Sequence, residues 1–304
     1  MIKDIFKTEE SRFSLINAFK FMIIPFMILF FTMFILWIFA RINFLFFESN
    51  GFVQMQIDKV GEAYFDFIAE DAISMIPYIF FFFILVFFIG LFFSFFLLRP
   101  FHQIGEYCNK KLNGEKILFK NNGIFNSRLP VEFGEYFFAW VDETMNVKIM
   151  EKGKIPPYYQ KIHGPLLEKN FFIFFMLVVL GLIVLSSFVI YFVGMSMHER
   201  IVTLAIEVFK KRESLSYFLQ GQGPLIMTIM IVILGVMFFL FFFLAINLYA
   251  QIAGASFAIF STMRAFMKGD FSARVHLVEY RYVREHCRYL NKYLNYVEDN
   301  LKKK

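Results

Sequence analysis

Four apolar runs punctuate this chain, at residues 21–40, 73–98, 171–197 and 224–250, and none holds an Asp, Glu, Lys, Arg or His. A helix needs roughly 20 residues to cross the hydrocarbon of a bilayer, and each run is long enough. The pattern predicts an all-α membrane protein with four transmembrane helices in two tandem hairpins. Helices are expected over 14–47, 73–98, 170–197 and 224–250, with outer loops at 48–72 and 198–223. The first run is too long for a cleavable signal core, and no small-residue cleavage site follows it, so it is expected to stay as an anchor.

The polar stretches repeat as well. In the second half, Tyr280, Val283, Cys287, Leu290, Leu294, Val297 and Leu301 recur at alternating steps of three and four. This is a heptad seam, and it asks for a partner helix. Upstream, Ile252, Ser256, Ile259, Met263 and Phe266 keep the same rhythm until Gly269-Asp270, where the glycine suits a helix stop and the residues after it suit an extended connector. In the first half Pro100 is expected to begin the corresponding helix, with Ile104, Cys108 and Leu112 along one side. Gly114-Glu115 then stands where Gly269-Asp270 stands, and Phe133, Phe137, Trp140, Thr144 and Val147 mark a second helix. The first connector is the longer, with "KNNGIFN" filling the difference. Both copies leave the membrane on the same side, which predicts a parallel duplication rather than an inverted one.

A membrane helix that runs into a helix, a Gly-acidic turn, an extended connector and a second helix resembles the HAMP domain, the parallel dimeric four-helix linker of bacterial receptors and sensor kinases. Pro100 matches the family's early proline, Gly114-Glu115 its Gly-acidic pair, and "VEFGE", with Glu132 and Gly134, the start of its second helix. In the second copy Gly269, Asp270 and Glu279 match. Ala255 in place of the proline, Arg281 in place of the second-helix glycine and the longer first connector depart from the family's pattern. The resemblance implies HAMP-like units at 99–155 and 251–304, after hairpins within 1–98 and 170–250, with a linker at 156–169. It also implies a homodimer with a seam through Phe133, Phe137, Trp140, Tyr280, Val283, Cys287, Leu290, Leu294 and Val297. Such units are thought to pass helix motion to an output domain; here the output is expected in a separate cytosolic or membrane protein.

Composition and charge set the environment. With 59% hydrophobic residues, 48 Phe and a mean hydropathy of +0.59, the chain lies outside soluble composition. Stretch 48–72 carries Glu48, Asp58, Glu62, Asp66, Glu70 and Asp71 against Lys59 alone, whereas 99–169 holds eleven Lys or Arg and 251–304 holds ten. Basic residues stay on the cytoplasmic side, so both termini are expected there, in a multi-pass protein of a bacterial inner membrane. The net charge of +6 then fits anionic lipid headgroups. Scattered basic residues with no binding motif argue against nucleic acid.

Candidate chemistry is sparse. His102, His163, His198, His276 and His286 are scattered without metal-ligand spacing, and no phosphate loop, kinase histidine box or cyclase motif occurs. No catalytic, cofactor-binding or metal-ligating residue is assigned, and no cofactor is expected. Cys108 and Cys287 fall at matching cytosolic places, as small core residues or as neighbours across a dimer seam. Thr32, Ser94, Ser186, Ser187, Thr228 and Asn247 are the candidates that the apolar runs offer to a carrier or channel. Arg41 is expected to snorkel to the outer headgroups, and 198–213 to form an amphipathic helix on the membrane surface. A non-enzymatic signal relay leads. A structural or accessory subunit clamped by the same bundles comes second, and a small carrier or channel third.

Overall fold

In a computed structural model of the chain, residues 8–51, 57–120, 128–147, 152–161, 169–208, 213–277 and 280–302 are described. The helices are α1 (Glu9–Ser49), α2 (Ile57–Leu112), α3 (Arg128–Val147), the short α4 (Pro157–Gln160), α5 (Lys169–Val208), α6 (Glu213–Met267) and α7 (Arg284–Lys302), the last entered through a 3-10 turn at Arg281–Val283. No strand occurs among the described residues. Helices α1, α2, α5 and α6 are long and apolar enough to cross a membrane.

Local chemistry explains where α1 begins and ends. The Thr8 hydroxyl accepts a hydrogen bond from the Ser11 backbone N–H at 3.3 Å, and Glu9 and Glu10 place negative charge at the positive end of the helix dipole. At the other end, the Ser49 hydroxyl and the Asn50 amide both donate to the Phe46 carbonyl, and Gly51 takes φ +68.

These helices outrun their expected lengths, so both outer loops shrink. Helix α2 starts at Ile57 and takes in the acidic stretch, where Glu62, Asp66 and Glu70 step by four along one side of it while Tyr64 and Ile68 on the other side are buried. The stretch expected as a separate surface helix at 198–213 is, through Val208, the continuation of α5. Pro100 begins no helix either. Like Pro77 it lies inside α2, at the position of a hydrogen bond it cannot donate.

The chain divides into two compact units, and the cut does not follow the tandem modules expected from sequence. One unit combines 18–90 with 179–244, and the other combines 1–17, 91–178 and 245–304. Each therefore draws on both halves of the chain. An apolar face left open by one copy is covered by the other.

In the unit of 18–90 and 179–244, α1 and α2 run antiparallel, with Phe19 against Phe87 and Phe26 against Phe83. Helix α6 lines α1 through stacked Phe46 and Phe218, 4.0 Å apart, and through a reciprocal amide pair between Asn43 and Gln222. Small residues let the helices approach, as membrane packing favours. At Gly194 of α5 an added Cβ would lie 2.7 Å from Met230 Cε and 3.2 Å from Thr32 Cγ2. Phe30, Phe81, Phe188 and Phe239 point outward, as a lipid-facing surface requires. Arg41 stacks on Phe65, its guanidinium 4.2 Å from the ring centre.

Candidate functional site

The residues that carried the sequence expectation gather in the unit of 1–17, 91–178 and 245–304. Its two halves end their first helix in the same way. Gly114 takes φ +83, its N–H donates to the Lys111 carbonyl, and the Glu115 N–H reaches back to Lys110, each at 3.1 Å. Gly269 takes φ +101, its N–H donates to Phe266, and the Asp270 N–H reaches back to Ala265, each again at 3.1 Å. This is the paired cap in which a left-handed residue lets two N–H groups satisfy the last carbonyls, and glycine adopts that conformation without steric cost.

Four helical segments then pack in parallel. Tyr107 of α2 meets Phe138 of α3 at 4.4 Å, and one turn on Lys111 donates to both oxygens of Asp142 at 2.8 Å, so both helices advance together. Phe260 and Phe266 of α6 meet Phe133 and Phe137 of α3 in the same sense. His102 and Tyr107 of α2 meet His286 and Tyr293 of α7 likewise. At the entry to α7, the Tyr280 hydroxyl lies over Gly254 of α6, where a Cβ would come within 2.6 Å of it. Helix α2 thus touches both α3 and α7, α6 touches α3 and the residue that leads into α7, and α3 and α7 also pack on each other.

The seam residues lie between these helices of one chain. Phe133, Phe137, Val283, Cys287, Leu290, Leu294 and Val297 are buried, as are Ile104, Cys108, Ile252, Ile259, Met263 and Phe266. Trp140 and Tyr280 are half-buried. Burying each Leu or Phe contributes about 1.5–3 kcal/mol, so an uncovered seam would be costly. The second copy of the repeat covers it. Burial pushes the Cys287 thiol up to about 12 and raises the Tyr293 phenol well above its ordinary range, with Tyr107 and Asp142 adding to the Tyr293 shift.

The connectors are pinned by contacts that heptad counting does not register. The Asn291 side chain donates to the Val275 carbonyl at 2.9 Å and accepts from its N–H at 2.8 Å. Arg274 donates to Asn295 at 2.6 Å and pairs with Glu298. Residues 291, 295 and 298 form one polar stripe beside the α7 seam, which is the only sequence signal for this clasp. In the first copy Phe119 packs on Phe138 and lies 3.3 Å from where a Cβ at Gly134 would stand. That glycine opens the helix surface to the connector. Pro100 is buried within α2, Glu115 is exposed, Glu132 accepts from the Tyr159 hydroxyl at 3.4 Å, and Asp270 accepts from Ser272 at 2.7 Å. Glu279 and, apart from Lys120, the insertion at 120–126 lie outside the described residues.

Two further segments join this unit without a clear sequence signal. The described stretch 152–161, the end of the first unit and the start of the linker, lies against this bundle, with the Gly153 N–H donating to the Met267 carbonyl of α6 at 2.9 Å and Tyr159 packed on Phe133. The first turns of α1 lie against α7, where Phe13 stacks on Tyr282 at 4.1 Å. Compared with known proteins, the chain matches no family model, no curated protein and no solved structure.

Proposed function

We propose that this protein is a non-enzymatic membrane signal relay in which the two HAMP-like repeats pair with each other inside one chain. The observation that carries the proposal is the repeated architecture: two first helices ending on the same glycine cap, two pinned connectors, and four parallel helices in alternation. In HAMP linkers two chains supply the two halves. Here duplication supplies both, and the homodimer that the heptads asked for becomes an internal pairing. The basic segments support a bundle on the cytoplasmic side of a bacterial inner membrane, beside anionic headgroups.

Such a bundle relays when it holds two packings a few kcal/mol apart and the entering helices bias them. Helices α2 and α6 each contain both an apolar run and a bundle segment. Their displacement is the input, and a separate protein bound to the bundle receives the output.

The experiment is disulfide crosslinking in native membranes of a chain carrying Phe138→Cys and Tyr293→Cys in a Cys108→Ala, Cys287→Ala background. A relay forms this bond within single chains, and its yield changes when the membrane unit is perturbed by Gly194→Ala. An unchanged yield favours the static clamp of an accessory subunit. Bonds only between chains would overturn the internal pairing.

A further inference from the structure

Three side chains far apart in sequence converge at one edge of the bundle: Glu10 from the first turn of α1, His102 from α2 and His286 from the first turn of α7. Each offers a ligand atom, and these atoms all lie within 4.8 Å of one another. His286 Nε2 contacts a Glu10 carboxylate oxygen directly, and the His102 ring stands edge-on to His286 with centroids 5.4 Å apart. The spacing of these residues carries no metal motif because the ligands come from three helices. Only packing brings them together.

The site is built around His286. That residue is 7% exposed, and its Nδ1 is buried with no hydrogen-bond partner among the described residues. Its ring fits because residue 105 is glycine, and a Cβ there would collide with Nδ1. A glycine inside a helix costs about 1 kcal/mol relative to alanine, so this helix gives up stability at the place where the imidazole enters. A simple ion pair would explain one histidine on Glu10. Beside it stands a second imidazole, His102, whose Nε2 also lies 3.7 Å from Glu106 Oε2, so two imidazoles gather among carboxylates at one point.

We propose that Glu10, His102 and His286 bind a divalent transition-metal ion of the Zn²⁺ class. Two imidazoles and a carboxylate, without thiolate, suit Zn²⁺ and its neighbours rather than Mg²⁺ or Ca²⁺. Bonds of about 2.0–2.2 Å in tetrahedral geometry set ligand atoms about 3.3–3.6 Å apart. His102 is exposed, so its ring can rotate inward by the distance required. A pocket of about 280 Å³ opens beside the cluster, with Glu106 and Glu285 on its wall, and gives the ion a path from solvent and room for a water ligand. The bound ion ties the first turn of α1 to α2 and α7.

The test is Co²⁺ titration of the full-length, chelator-stripped protein in detergent, followed by displacement with Zn²⁺. The expected result is one Co²⁺ per chain with the visible absorption of a low-coordinate site, bleached by Zn²⁺. His102→Ala, at an exposed position where folding is not at stake, and Glu10→Gln each weaken binding at least about tenfold, while His276→Ala at another exposed histidine changes nothing. Absence of stoichiometric binding overturns the proposal. So does equal weakening by His276→Ala, which would mark adventitious surface histidines, or unchanged affinity in both His102→Ala and Glu10→Gln.

Discussion

Asn291 and Val275 form a closed pair: one side-chain amide satisfies both backbone groups of a residue in an extended connector, at 2.9 and 2.8 Å. Extended chain has no hydrogen-bonding partner of its own kind here, and a half-buried backbone group left unpaired costs about 1–3 kcal/mol. Asn291→Ala is expected to lower stability by about that amount, seen as a fall in Tm in detergent. Asn291→Asp keeps the acceptor and loses the donor, so it should fall between. Amide exchange at Val275 should quicken in both variants.

The two glycine caps give a matched comparison. Gly114→Ala meets open space and bears only the cost of a left-handed backbone, about 1–2 kcal/mol. Gly269→Ala bears the same cost and also brings a Cβ 3.0 Å from Lys152 Cε. Both should destabilise, Gly269→Ala by an equal or slightly larger amount because the lysine end can move. Asn at either position should be tolerated better than Ala, since it enters the left-handed region more readily. Thermal unfolding of the four variants checks the order.

Cys287 is packed in the α7 seam, and burial holds its thiol at about 12, so almost no thiolate exists near pH 8. Cys108 is fully buried in α2. The folded protein should resist a thiol-selective maleimide at pH 8 for hours and take up two labels only after denaturation. Rapid native labelling at either cysteine would contradict the packed seam.

Glu298 reports on the connector through pH. Its carboxyl lies below the ordinary value of 4.5, first because Lys302 donates to it and then because Arg274 does. A carboxylate with a lowered folded-state pKa contributes stability above its unfolded pKa, and that contribution is lost as pH falls through the folded value. Glu298→Gln should therefore lower Tm near pH 7, and the gap from wild type should close as the pH is lowered from about 4.5 into the range below it. A gap independent of pH would mean that shape, not charge, holds this contact.

The apolar runs, the heptad steps and the glycines at 114 and 269 determine much by themselves. Four spans, two helix stops and a set of seam residues follow from period and from backbone sterics, because those properties are local. The length of α2 is only partly legible, since carboxylates four residues apart suit an exposed helix face as well as a loop.

Which surfaces meet is not local, and only the tertiary structure decided it. A heptad seam states that a partner is needed without naming the partner, and here the other repeat fills that place, so Leu290 and Phe137 are buried without a second chain. The clasp of Arg274, Asn291 and Glu298 depends on how an extended strand lies on a helix, which no period encodes. The same holds for Glu10, His102 and His286. Each looks ordinary in its own segment, and packing three helices at one edge makes them neighbours.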